Sequence, residues 1–305
     1  MLIEVGQILA PITIVVLIGF FLNRRGVITD GRTISSLVVT VASPSLIFSS
    51  LTSGHVPPGS IQTMAMAALL CLACAAAIGL VVLKATGGPV RSFLPPLMLP
   101  NAGNMGLPLA VLAFGPEGMS FAAAFFMTVT LVQFSVGLSI YAGSVRLGTV
   151  FRQPLIFAVA AVLAVNAFGI PVPRVVTDTT TMLGGMMMPA MLLLLGSSLA
   201  SLGVTDLKPA ILVAVGRLGI GVVSAVLAIF ILELDGIAAG TVFLLATMPT
   251  AVVNYVLAER FQHNASQVAG SVVASTLLTF CCLPTLVWMA LSYSHGQVPF
   301  GWLIG

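Results

Sequence analysis

Leu99-Pro100-Asn101-Ala102-Gly103-Asn104-Met105-Gly106-Leu107-Pro108 lies within an apolar run over 93–114 that is long enough to cross a bilayer. With Pro95 and Pro96 just upstream, six prolines and glycines crowd about four helical turns of it. A proline inside a helix removes a backbone donor and clashes with the preceding turn, at about 3 kcal/mol each. Lipid cannot satisfy the carbonyls this frees, so such a stretch survives only against protein or a wet cavity. A merely kinked helix would need one proline. The composition here predicts a helix broken in mid-membrane.

A second break follows much later, at Met248-Pro249-Thr250-Ala251-Val252-Val253-Asn254-Tyr255 in the apolar run 237–258. Pro100 to Asn104 is four residues and Pro249 to Asn254 is five, so each break sets an uncharged amide just past a proline. Paired interruptions of this kind are the best sequence pointer to a transporter's binding site. New half-helix N-termini present N–H groups suited to a carboxylate, and the freed carbonyls suit a cation. Asn104 and Asn254 add donors and acceptors without the insertion cost of a charge; the alternative is that they only cap freed backbone. Asn101 is placed to cap the second half-helix. With Gly103 and Thr250 beside them, these residues are the expected substrate contacts, and Pro100 and Pro249 make the breaks.

The rest of the chain agrees with a lipid environment. Of 305 residues, 59% are hydrophobic and only 6% charged, far below the about 25% that a water-solvated surface needs. A net charge of +3 gives no reason to expect nucleic acid as a partner. Cys71, Cys74, Cys281 and Cys282 all sit in apolar runs, and the Cys71–Cys74 pair lacks a second ligand pair, so packing is expected and no metal. Glu4 precedes the first run and Arg24-Arg25 follow it, which reads as a retained helix and not a cleaved signal.

Apolar runs fall near 5–22, 34–52, 60–83, 93–114, 118–142, 154–170, 175–201, 209–232, 237–258 and 266–290. They predict an all-α integral membrane protein of ten transmembrane helices. Alternate loops then collect Arg24, Arg25, Arg32, Lys84, Arg91, Arg146, Arg152, Lys208 and Arg260, against Arg174 alone on the other side. The positive-inside rule puts the nine in the cytoplasm and both termini outside. Five spans per half make 1–142 and 154–290 inverted repeats. Ser43-Pro44 with Ser49-Ser50-Leu51 in the second span resembles Met188-Pro189 with Ser197-Ser198-Leu199 in the seventh.

Arg217 is the eleventh basic residue and lies about 13 Å into the eighth span, counting 1.5 Å per residue from Lys208. An arginine that deep is either functional, here as counter-charge to a substrate carboxylate, or snorkels to the surface. Gly216, Gly219 and Gly221 around it permit close helix packing. No span offers a midplane His, Asp or Glu, so neither enzymatic chemistry, a cofactor nor a titrating proton carrier is expected. Sodium stays open as a coupling ion, since carbonyls, Asn, Ser and Thr leave no diagnostic charge.

The two broken motifs resemble those of the auxin efflux carrier family, in particular its bacterial members. The resemblance implies two inverted five-helix repeats whose broken fourth and ninth spans cross at their prolines, as in sodium–bile-acid symporter-like folds. It also implies transport spans 3–5 and 8–10 moving, elevator fashion, against scaffold spans 1, 2, 6 and 7, commonly in a homodimer. It carries the site onto Pro100, Asn104, Pro249 and Asn254. Two departures matter. The connection between spans 5 and 6 is about ten residues, where plant members have a long regulatory loop, and the third span lacks their charged residues near the site. Auxin is therefore disfavoured, and malonate or a similar small carboxylate, carried across the cell (inner) membrane, fits better.

Overall fold

The computed structural model describes residues 2–28, 31–52, 59–144, 154–202 and 206–296. Arg146 and Arg152 of the expected basic loops lie outside them. Among the described residues the chain is wholly helical. Helix α1 is Leu2–Arg24, α2 covers 32–52, α3 is Ser60–Thr86 and α4 is Val90–Met98. Residues 102–142 then divide at Gly115, whose φ of +67° no helix contains, into α5 (102–114) and α6 (116–142). Pro116 starts α6, where its missing N–H has no partner to lose. Further on come α7 (Pro154–Phe168), α8 (Arg174–Ser201), α9 (Leu207–Ile231), α10 (Gly236–Ala246), α11 (Val253–Arg260) and α12 (Ala265–Ser294).

Seven of the described helical stretches are long and apolar enough to cross a membrane, and α7 and α10 are shorter apolar helices. The exterior suits lipid: Phe157, Phe168, Met182 and Phe230 are each at least 67% exposed. In water these side chains would drive aggregation; in hydrocarbon they are solvated.

Prolines inside helices coincide with irregular backbone. Pro44 cannot donate to the carbonyl one turn earlier, and the π-helical turn Val38–Ala42 immediately before it absorbs the mismatch. Pro189 follows a non-α turn at Met186 in the middle of α8. The helices pack in two sets. One set joins α1 to α8, α8 to α2 and α2 to α7, and α3, α4, α5, α6, α9, α10 and α12 form the other, with α1, α2 and α8 also touching members of that second set. In the first set, Gly19 sits against the Leu193 backbone and Gly196 against the Val16 backbone, a reciprocal approach that brings α1 and α8 into extensive contact.

Candidate functional site at the crossing of two broken helices

The expected run 93–114 is two half-helices, α4 and α5, separated by extended residues; Leu99 has φ −98° and ψ 108°. The break falls after Pro95 and Pro96, which remain inside α4. The run 237–258 divides likewise into α10 and α11. The two extended breaks cross and pair: Asn101 N donates to Pro249 O at 2.7 Å, and Ala251 N donates to Leu99 O at 3.1 Å. This antiparallel bridge aligns Pro100 with Thr250, not with Pro249. From that centre Asn104 and Asn254 each lie four residues on, so the unequal proline-to-asparagine spacings become equal offsets.

Beside the crossing opens a cavity of about 970 Å³. Its crossover end is built by α5 and α11, whose N-termini meet there. Ala102, Gly103, Val252 and Val253 line it, and their N–H groups make no hydrogen bond within the described residues. Helix geometry leaves first-turn donors without partners. Asn101 Oδ1 accepts from Asn104 N at 3.3 Å, capping α5. Its Nδ2 is buried and has no hydrogen-bond partner among the described residues, on a residue only 4% exposed that borders the cavity. Two helix N-termini contribute about half a positive charge each. With the first-turn N–H groups of both helices at this end of the cavity, the site suits an anion.

Asn104 and Gly103 also line the cavity; a Cβ on Gly103 would come within 2.8 Å of the Phe126 ring. Asn254 and Thr250 do not reach it. Both are fully buried, with Asn254 Nδ2 donating to Thr250 Oγ1 at 3.1 Å and Thr250 N to Ser275 Oγ at 3.3 Å. Arg217 is absent from the cavity wall as well. It neither snorkels nor faces the cavity: 2% exposed, it donates through Nε to Met248 O at 3.1 Å, through Nη1 to Leu97 O at 2.9 Å, and through Nη2 to Ala246 O. Gly216 and Gly221 admit it, since Cβ atoms there would stand 3.0 Å from Leu97 Cδ2 and 2.5 Å from Ala246 O.

The rest of the wall is rich in hydroxyls that the sequence reading did not assign to the site. Ser35, Ser36, Thr40 and Ser43 come from α2, Thr130 and Gln133 from α6, and Ser197, Ser198 and Ser201 from α8. Three π-helical turns, Val38–Ala42, Ala102–Gly106 and Gln133–Gly137, all contribute to this wall. Such turns concentrate at functional sites, but they leave no residue signature to read beforehand. At the mouth stand Glu259, which accepts a 3.0 Å bond from the Tyr255 hydroxyl, and Arg260.

A lipid-compatible helical body, with two broken helices crossing at the end of a polar cavity, defines a multi-pass membrane transporter. Residues 5–144 and 144–289 match the membrane transport protein family, and the chain belongs to that family, which includes the auxin efflux carriers. An uncharacterized transporter from Methanothermobacter thermautotrophicus is 26% identical over 288 residues, covering 90% of this chain and 94% of that protein. One from Methanocaldococcus jannaschii is 22% identical over 299 residues, covering 91% and 95%.

Proposed function

We propose that the protein is an elevator-type secondary carrier that moves a small organic anion, such as malonate or a related carboxylate, across the membrane. The observation that carries this reading is the meeting of two half-helix N-termini at the end of one cavity, with four first-turn N–H groups that have no partner among the described residues and the buried Asn101 amide behind them. A carboxylate bound there would satisfy donors that otherwise stand unpaired, while the hydroxyl-rich wall would hydrate the rest of a small polar acid. Asn104 contributes an amide from the same half-helix.

Ten spans in two inverted repeats account for several features at once. A straight 41-residue helix would reach about 60 Å, twice the hydrocarbon thickness, so the bend at Gly115 is read as two passes. The equal four-residue offsets of Asn104 and Asn254 fit a pseudo-two-fold through the crossing. So does their unequal exposure, because an inverted pair in a cavity open on one side has only one member facing it. That side carries Asn23, Gly31, Ser201 and Arg260, next to the basic loops, and corresponds to an inward-facing state. The opposite side is closed where Ser120 Oγ donates to Ser50 O at 3.0 Å. The two packed sets supply a scaffold and a moving unit.

Labelled malonate flux into proteoliposomes tests the reading. Saturable uptake with counterflow is expected for the wild type and loss of at least tenfold for Asn104→Ala. No malonate flux from folded protein would eliminate that substrate, and flux without counterflow would indicate a passive pore in place of a carrier.

A further inference from the structure

We propose that Arg217 is a built-in counter-cation for the crossover, standing where a coupling sodium ion would otherwise be held, so that transport needs no sodium. The crossing divides its backbone charge into two sides. The N-terminal ends of α5 and α11 face the cavity. The C-terminal ends of α4 and α10 face away from it, and each carries about half a negative charge. Freed carbonyls and half-helix C-terminal ends of this kind are where transporters with broken helices coordinate sodium.

Here those oxygens are already engaged. Leu97 O comes from the last turn of α4, Ala246 O ends α10, and Met248 O lies in the break beyond it; all three accept from the one guanidinium. Its single positive charge matches the roughly one negative charge of the two ends together. Among the described residues no carboxylate pairs with Arg217, so the carbonyl ends are its counter-charge. Arginine suits the position because its planar fork presents several donors in different directions and stays charged when buried. Gly216 and Gly221 bring α9 close enough to both half-helices for it to reach them. With the negative side permanently filled, the unmatched charge left at the crossing is the positive pair of N-termini, which an anion alone completes.

The test uses the full-length protein purified in detergent, melted in sodium chloride and in choline chloride at equal ionic strength. Wild type is expected to melt at the same temperature in both and to bind no radiolabelled sodium. Arg217→Ala should melt lower and be raised by sodium or by millimolar guanidinium relative to choline, whereas Arg217→Lys, which keeps the charge, should gain from neither. If Arg217→Ala fails to fold, Arg217→Gln takes its place. Sodium binding or sodium stabilisation in the wild type would overturn the proposal. So would a neutral variant that neither cation restores, since that is the behaviour of a purely packing role. Malonate flux adds a second arm, which alone rests on the carrier reading: equal flux in sodium and choline is expected, and sodium-dependent flux would overturn the proposal. Sodium-insensitive melting together with absent malonate flux supports the role of Arg217 and removes malonate only.

Discussion

In the proposed anion site, Asn101 serves through both ends of its amide. Its oxygen caps α5 through Asn104 N, and its nitrogen adds an unpartnered donor to the N–H groups around it. These two functions separate in Asn101→Asp, which keeps a capping oxygen of equal geometry but replaces the donor with negative charge. We expect malonate flux to fall tenfold or more, at least about 1.4 kcal/mol, with the melting temperature little changed; equal losses of both would mean that Asn101 acts only as a cap. That Asn101 and Asn104 stand at the break was readable in advance, because prolines and glycines mark it. The burial of Asn254 was not, since its partner Thr250 and the Ser275 behind it come together only through tertiary packing. Arg217 announced itself by depth, but its partners are backbone carbonyls, which carry no residue signature.

Helix approach is set by glycines, and two that stand two residues apart, on opposite faces of one helix, differ in effect. On α9, a Cβ at Gly221 would stand 2.5 Å from Ala246 O and 3.1 Å from Thr247 Cα, both backbone atoms that cannot rotate away. Gly219 has nothing within 4 Å. Gly221→Ala should therefore lower stability by about 1–3 kcal/mol through overpacking. Gly219→Ala should leave it unchanged or raise it by up to about 1 kcal/mol through helix propensity. Thermal melting of the two variants side by side decides this, and a Gly221→Ala protein as stable as wild type would contradict the packing described. The sequence marked both breaks as elements, since proline chemistry is local. It misaligned them by one residue, because register between extended segments follows from backbone pairing and not from the position of a proline. Nor did it reveal the π-helical turns, which arise where a helix absorbs an extra residue under tertiary constraint.

On the scale of the molecule, composition alone required lipid as solvent, and the described helices fall close to the expected apolar runs. What composition could not supply is which helices pack together, because apolar faces in lipid look alike from sequence; small-residue contacts such as Gly19 and Gly196 make that selection. The proposed carrier should be lockable where Ser120 meets Ser50. Cysteines introduced at Ser50 and Ser120, in a background without the four native cysteines, should cross-link on oxidation. Malonate flux should then stop and return with reductant. Full flux in cross-linked protein would argue against opening on that side.

The reciprocal bonds between Leu99, Asn101, Pro249 and Ala251 join segments about 150 positions apart in the chain. Neither half can alter its backbone at the break without leaving the other with unpaired groups in a medium that offers no replacement. The two halves of such a protein are thus bound to a common inheritance. A chimera that takes residues 1–142 from one relative and 154–290 from another should function only when the two donors agree in shape at this crossing, however dissimilar they are elsewhere.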